Sequence, residues 1–400
     1  MRIQILISLV LVFSASTALA ASTVPNDTTN AHYTLVQVKT HDGLNLQGHL
    51  ATPKNFSAPY PAVLLLVGSG PSNRYENLPG IMTADGKPTL IFQPIEQALL
   101  DAGIAVMAYD KRGVTPIDAT FFTDTVDWTI FKTADADALA ADALAAFDVL
   151  AAQPQVDVNR IGLLGHSEGT LLALKIAEKR PAAVKAFFML GLLGRAMKDV
   201  MFYQGVTNPL RYFYALDDDH DGLVNETELN LAAFADPVLG YILGGWKQFG
   251  TYDHTGDGQV SLQEFSYVLE TGNRQFTAAL FDKSTPWPDQ SMPREWFQQY
   301  YNEGPYLPRA LKLCAKIHLF QGEIDVETPF EDALELNDGC LRQGTPLASF
   351  ISYPEMGHGF SPRVGYKKVR DTVGPATPKL AADIAGQARK ALLPAAVLRP

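Results

Sequence analysis

The chain has 400 residues, 47% of them apolar and 19% charged, with a formal net charge of −11. That length exceeds what one hydrophobic core usually organises, and the balance of apolar to charged residues excludes wholesale disorder. The surplus of acid excludes the basic surface that nucleic-acid backbones demand.

At the N-terminus Arg2 precedes an apolar run from Ile3 to Phe13 and small residues ending in ALAAS. A charged start, an apolar middle and an Ala-x-Ala site predict a signal peptide over 1–20, cleaved near Ala20, and a mature chain that is periplasmic or secreted. The run is about half of the ~20 residues that a spanning helix needs, so no membrane span is expected in the mature chain.

YTLVQVKT and LNLQGHLATP, separated by HDG, predict an antiparallel hairpin. PAVLLLVG and IAVMAYD are short, nearly unbroken apolar runs, the pattern of strands buried on both faces of a parallel sheet. Between them LIFQPIEQALLDAG has helical spacing and ends at Gly103. An Ala-rich helix stopped by Pro154 follows, then a strand RIGLLGH, a helix EGTLLALKIAEKR stopped by Pro181, and a strand KAFFMLG. Strand and helix in alternation predict an α/β fold with a mostly parallel sheet covered on both faces. The alternation lapses over 195–310, then resumes with AKIHLFQGE, a helix over 328–338, a strand PLASFISYP and a helix near 377–393. The middle section therefore reads as an insertion into a core built from 21–194 and 311–400.

GHSEG places Gly165, Ser167 and Gly169 between a predicted strand and a predicted helix. Two glycines permit the tight turn that lifts a serine hydroxyl clear of a sheet edge. A serine hydroxyl needs a base to take its proton and a third group to orient that base. His358, in YPEMGHGF after the last predicted strand, is the best-placed base among the histidines; His166 reads as structural and His318 as buried in its strand. Asp325, in LFQGEIDVETP, is the expected orienting acid, with Glu327 in reserve. An oxyanion needs pre-aimed N–H donors. The backbone N–H groups of Glu168 and Ser69 are the candidates, with Gly68 and Gly70 as alternatives to Ser69.

The insertion holds DDDHDGLVNETE. Its oxygen-bearing residues Asp217, Asp219, Asp221, Asn225 and Glu228, the Leu223 carbonyl, and Gly222 at the sharp turn fill the positions of a twelve-residue calcium loop. A second copy, DHTGDGQVSLQE, offers Asp253, Thr255, Asp257, the Gln259 carbonyl, Ser261 and Glu264, with Gly258 at the turn. Thr255 in place of a carboxylate predicts weaker binding there. Apolar stretches flank both loops, and the pair resembles a paired EF-hand over about 207–271. Trp246, Trp287, Trp296, Phe297 and Tyr300 are expected to stack in a small core of the insertion's own. Cys314 and Cys340 are the only cysteines, and export favours their closing as a disulfide.

LLLVGSGPSNR, AYDKRGVTP, GHSEG, FQGEIDVETP and MGHGF, in that order, resemble the α/β-hydrolase superfamily, particularly its bacterial esterase-like members. The resemblance spans about 32–194 and 311–395; Val67 departs from the histidine that many relatives carry before this glycine. It implies an α/β-hydrolase fold, Ser167 as nucleophile, His358 as base, Asp325 as its partner, and hydrolysis of a carboxyl ester or amide through an acyl-enzyme without an organic cofactor. The insertion enters where relatives carry a cap over the active site, so bound calcium is expected to hold that cap together. Two other readings stay open: a serine peptidase or amidase acting on small peptides, and a calcium-dependent binding protein with a non-catalytic hydrolase core.

Overall fold

The computed structural model describes residues 28–76, 90–116, 124–236, 239, 249–363, 366–368 and 376–393. The expected signal peptide and Trp246 lie outside the described residues.

The predicted hairpin is β1 (Ala31–Lys39) with β2 (Asn45–Pro53), in antiparallel register from Ala31 opposite Pro53 to Lys39 opposite Asn45. Its HDG turn closes with Thr40 N–H on the Leu44 carbonyl, and Gly43 takes the positive φ of 90° that the turn requires. β3 (Tyr60–Leu66), β4 (Ala105–Tyr109), β5 (Val156–His166), β6 (Val184–Leu190), β7 (Ile317–Gly322) and β8 (Ser349–Tyr353) complete an eight-stranded sheet. Its spatial order is β1-β2-β4-β3-β5-β6-β7-β8. β2 meets β4 antiparallel; every later pairing is parallel. β3 and β4 are buried almost throughout, as strands covered on both faces must be.

The principal helices, in chain order, are α1 (Phe92–Asp101), α2 (Ala136–Ala151), α3 (Glu168–Lys179), α4 (Leu210–Leu216), α5 (Glu226–Ala235), α6 (Leu262–Phe281), α7 (Arg294–Tyr301), α8 (Phe330–Arg342) and α9 (Pro378–Leu392). α1 and α9 cover one face of the sheet, where Leu99, Leu380 and Ile384 pack against Val63, Leu65 and Val106. α2 and α3 cover the other with Leu139, Phe147 and Leu171. Burying each such side chain fully stabilises the fold by about 1.5–3 kcal/mol. The helix starts are chemically marked: the Asp135 carboxylate accepts Ala138 N–H ahead of α2, and Thr377 caps α9 with Pro378 at its first position.

Between β6 and β7 the insertion has two parts. Leu223–Asn225 pairs antiparallel with Gln259–Ser261, Val224 opposite Val260, and this ribbon joins α4, α5 and α6 around a core of its own containing Tyr212, Phe213, Leu229 and Phe265. The four described aromatics expected in that small core are elsewhere. Trp287, Trp296, Phe297 and Tyr300 pack into the main core on the α2 and α3 side, because α7 lays its apolar face on the far larger apolar surface of the sheet and its helices. No helix among the described residues is long and apolar enough to cross a membrane. Cys314 and Cys340 are disulfide-bonded, tying the turn before β7 to α8.

Candidate active site

Ser167, Asp325 and His358 each follow the C-terminal end of a parallel strand, β5, β7 and β8, so the topology delivers all three to one edge of the sheet. Ser167 sits at φ 54° and ψ −120° between β5 and α3, a backbone geometry that L-residues with a side chain adopt only under constraint. The flanking glycines are the constraint. A Cβ on Gly165 would lie 2.3 Å from the Gly169 carbonyl oxygen, and one on Gly169 would lie 2.0 Å from that of Leu66. Although Ser167 stands at the cap position of α3, its hydroxyl makes no capping bond to the helix; the oxygen is left for other chemistry.

His358 Nδ1 lies 2.9 Å and 3.1 Å from the two carboxylate oxygens of Asp325. Asp325 also accepts from Glu327 N–H, Thr328 N–H, Thr328 Oγ1 and Gln321 Nε2. Full burial works to raise this carboxyl's pKa, but His358 and the Thr328 donors outweigh it and hold it below the ordinary carboxylate range. An ionised acceptor facing Nδ1 assigns the hydrogen to that nitrogen and leaves Nε2 as the basic one. Glu327 contributes its N–H to this arrangement.

Ser167 and His358 converge through their neighbours. Ser167 N–H bonds the Leu190 carbonyl, and a Cβ on the next residue, Gly191, would lie 3.2 Å from His358 Cε1. The His166 ring, one residue before the serine, sits with its centroid 4.6 Å from that of His358.

Of the candidate oxyanion donors, Gly68 is next to the serine: its virtual Cβ falls 3.2 Å from Ser167 Cβ. Its N–H, however, is committed to the buried Glu76 carboxylate at 2.5 Å, so it is not free for a substrate oxygen. Ser69 is solvent-exposed. Glu168 opens α3, where the first N–H groups have no partner within the helix and the helix dipole favours negative charge.

Two buried groups were not anticipated. The Glu168 side chain pairs with Lys111 Nζ at 2.8 Å and accepts Trp296 Nε1–H at 2.6 Å, while Lys111 also donates to the Gly68 carbonyl. This joins the elbow, the loop after β4 and α7 of the insertion. Glu76, in the left-handed region at φ 56°, accepts from Gly68 N–H and meets His166 Nδ1 at 2.8 Å. Arg74 with Asp110 and Arg112 with Asp142 brace the same loops. Lys111, Arg112 and Glu168 carried one sequence signal, charge placed just after an apolar strand; Glu76, ten residues beyond β3, carried none.

In the first calcium-like loop, one ligand atom from each of Asp217, Asp219 and Asp221 lies within 4.8 Å of the others. Asp217 Oδ1 is buried without a hydrogen-bond partner. Glu228 accepts from Asp218 and Asn225 N–H, and Gly222 N–H bonds Asp217. Asn225 Oδ1 caps α5, accepting Thr227 and Glu228 N–H. The second loop repeats the pattern with Glu264 accepting from His254, Thr255 and Ser261 N–H, and Ser261 capping α6; Asp253, Asp257 and Thr255 are more open to solvent than Asp217.

Residues 92–228, which contain the elbow, match the Prolyl oligopeptidase family. An esterase of Thermotoga maritima, EstD, is 33% identical over 187 residues, covering 46% of this chain and 37% of that protein. A probable dipeptidyl-aminopeptidase B of Aspergillus clavatus is 26% identical over 231 residues, covering 57% of this chain and 22% of that protein. The chain thus spans well under half the length of these curated relatives. Among solved structures, a Pyrococcus furiosus esterase aligns over 95% of this chain and 100% of its own at 14% identity and a TM-score of 0.45. By its sheet order, its elbow and the match over 92–228, the chain has an α/β-hydrolase-like fold and is similar in its central stretch to the prolyl oligopeptidase family.

Proposed function

We propose that the chain is an exported serine hydrolase that cleaves carboxyl esters through an acyl-enzyme on Ser167, beneath a calcium-stabilised cap. One observation carries the reading: an imidazole held at Nδ1 by a buried carboxylate stands beside a strained turn whose serine hydroxyl is unspent. In this mechanism His358 Nε2 takes the Ser167 proton as the oxygen attacks the carbonyl. It then returns that proton to the departing alkoxide, and water repeats the sequence on the acyl-enzyme. Asp325 holds the ring's tautomer and stabilises the imidazolium without taking the proton. Glu168 N–H at the start of α3, with Ser69 N–H as second donor, receives the oxyanion.

The esterase similarity favours esters, while the prolyl oligopeptidase match and the aminopeptidase similarity favour a second reading, cleavage of small peptides by the same three residues. Export is supported by the N-terminal pattern and by the Cys314–Cys340 bridge, since disulfides persist in oxidising compartments. The first loop fits calcium by its donor set: three convergent carboxylates, one with a buried oxygen lacking a partner. Asp217, Asp219, Asp221, the Leu223 carbonyl, Asn225 and Glu228 would hold the ion, which supplies the positive charge that lets these oxygens crowd together. Asp253, Thr255, Asp257, the Gln259 carbonyl, Ser261 and Glu264 would hold a second, weaker one.

The test is a panel of p-nitrophenyl esters and aminoacyl anilides with wild type and Ser167→Ala, with and without calcium. Ester turnover that falls by roughly 10^6-fold in the variant supports the proposal. Anilides cleaved faster than esters would transfer it to the peptidase reading, and activity that survives in Ser167→Ala would remove both.

A further inference from the structure

The ring of His166 is held at both nitrogens. Nδ1 meets Glu76 Oε1 at 2.8 Å, and Nε2 meets the main-chain carbonyl oxygen of His358 at 2.9 Å. A carbonyl only accepts, so Nε2 carries hydrogen and donates. Glu76 Oε1 already accepts Gly68 N–H at 2.5 Å, so the remaining hydrogen of the pair lies between Nδ1 and that same oxygen. Both residues are buried, His166 at 3% and Glu76 at 4% exposure. Breaking either bond would strand a polar group away from water.

The three segments this chain of bonds ties together are those that the proposed chemistry must keep in register. Gly68 belongs to the loop beside Ser167, His166 is the residue before the nucleophile, and His358 is the base. Asp325 fixes the His358 ring from its Nδ1 side but places no restraint on the backbone that carries the ring. The carbonyl of His358 is where that restraint is applied, and His166 applies it. The two rings lie close together, centroids 4.6 Å apart and tilted by 38°.

On the serine-hydrolase reading, we infer that Glu76 and His166 are a positioning pair: Glu76 orients His166, and His166 pins the main chain of the base, so that oxyanion loop, nucleophile and base move as one unit. Neither residue touches the reacting atoms. Their effect is on the fraction of time that His358 Nε2 stands within reach of the Ser167 hydroxyl, and a misplacement of about 1 Å in such a pair can cost about 100-fold in rate.

The two bonds of His166 can be separated, because an asparagine amide overlays the Nδ1 side of the ring and a glutamine amide the Nε2 side. H166N keeps a partner for Glu76 and loses the bond to His358; H166Q does the reverse. With p-nitrophenyl acetate, H166N is expected to lose roughly 10–100-fold in kcat with KM within about twofold, and H166Q to recover to within a few-fold of wild type. Losses equal in the two variants and proportional to their loss of melting temperature would overturn the inference, as would wild-type kcat in H166N. If H166N does not fold, E76M decides: it removes the oxygen that His166 Nδ1 faces, and a wild-type kcat there overturns the pairing. Labelling of wild type by a fluorophosphonate is run alongside. Its absence sinks the serine-hydrolase reading itself, whereas labelled wild type with indifferent variants sinks only the positioning role.

Discussion

At the residue scale the elbow depends on missing atoms. Gly169 lets α3 approach β3 so closely that a methyl group would sit 2.0 Å from the Leu66 carbonyl oxygen, a backbone neighbour that cannot rotate away. Gly169→Ala must therefore displace the helix, the strand, or both. Overpacking of this kind costs about 3 kcal/mol or more, and here the displaced helix carries Glu168 N–H and Ser167. The expected result is a melting temperature lowered by several degrees in calorimetry together with a loss of ester turnover larger than the unfolded fraction explains. A Gly169→Ala protein with wild-type melting and turnover would mean that the elbow is looser than these distances require. Elsewhere on the surface the same exchange would be nearly neutral or stabilising.

At the scale of single elements, β7 carries a histidine where an apolar residue would pack as well. His318 stacks on Phe188 with ring centroids 5.1 Å apart, and its Nδ1 meets Ser349 Oγ at 2.9 Å. Burial first, then the nearby charge of Lys390, push its pKa down to about 4. In the unfolded chain the ring titrates near 6.5. Between those two values the unfolded state binds the extra proton, so stability falls as the pH drops from about 6.5 to about 4 and levels off below. His318→Gln keeps a polar end for Ser349 with nothing to titrate. Its melting temperature, compared with wild type across that window, is expected to decline less steeply; parallel curves would assign the acid sensitivity to other groups.

Elements are also the scale at which the sequence was most legible. The apolar runs of β3, β4 and β6, the glycines around Ser167 and the oxygen spacing of the two loops are local patterns, and a local pattern survives in one dimension. Glu76 and Lys111 are different. Their partners lie 90 and 57 positions away, at His166 and Glu168, and no spacing rule connects a charged residue after one strand to a ring after another. The placement of Trp296 failed for a related reason: an aromatic that follows the acidic loops in the chain is free to pack on whichever apolar surface is larger, and α7 packs on the main core.

At the scale of the whole molecule, the question is how the insertion between β6 and β7 reaches the candidate site. The turn Tyr203–Thr207 leads directly into α4 and so into the first loop. Tyr203 Oη donates to the main-chain carbonyl of Asp325 at 3.1 Å, and Gln204 Nε2 donates to that of Glu327 at 2.9 Å. Burial, then the negative charge of Asp325, push the Tyr203 phenol up to about 12, so it remains a donor at any working pH. From the other side, Lys367 Nζ pairs with Asp218 at 2.7 Å and Tyr366 N–H bonds Asp236, eight or nine residues beyond His358 in the chain. The loop is thus tied to Asp325 and to the segment that follows His358. On the proposed calcium reading, the carboxylates of Asp217, Asp219 and Asp221 repel one another when no cation is bound, and the loop loosens. Calcium at about 100 times its dissociation constant is expected to stabilise the fold by about 2.7 kcal/mol, and a strong chelator to lower both melting temperature and kcat. The double variant Y203F/Q204A separates the two effects. It leaves every proposed calcium ligand in place, so its melting temperature is expected to keep responding to calcium. Its kcat is expected to be low and no longer to change with the cation. A kcat that still follows calcium in the double variant would mean that the cap acts on the site by another route, and a wild type indifferent to chelator in both measurements would remove calcium from the account.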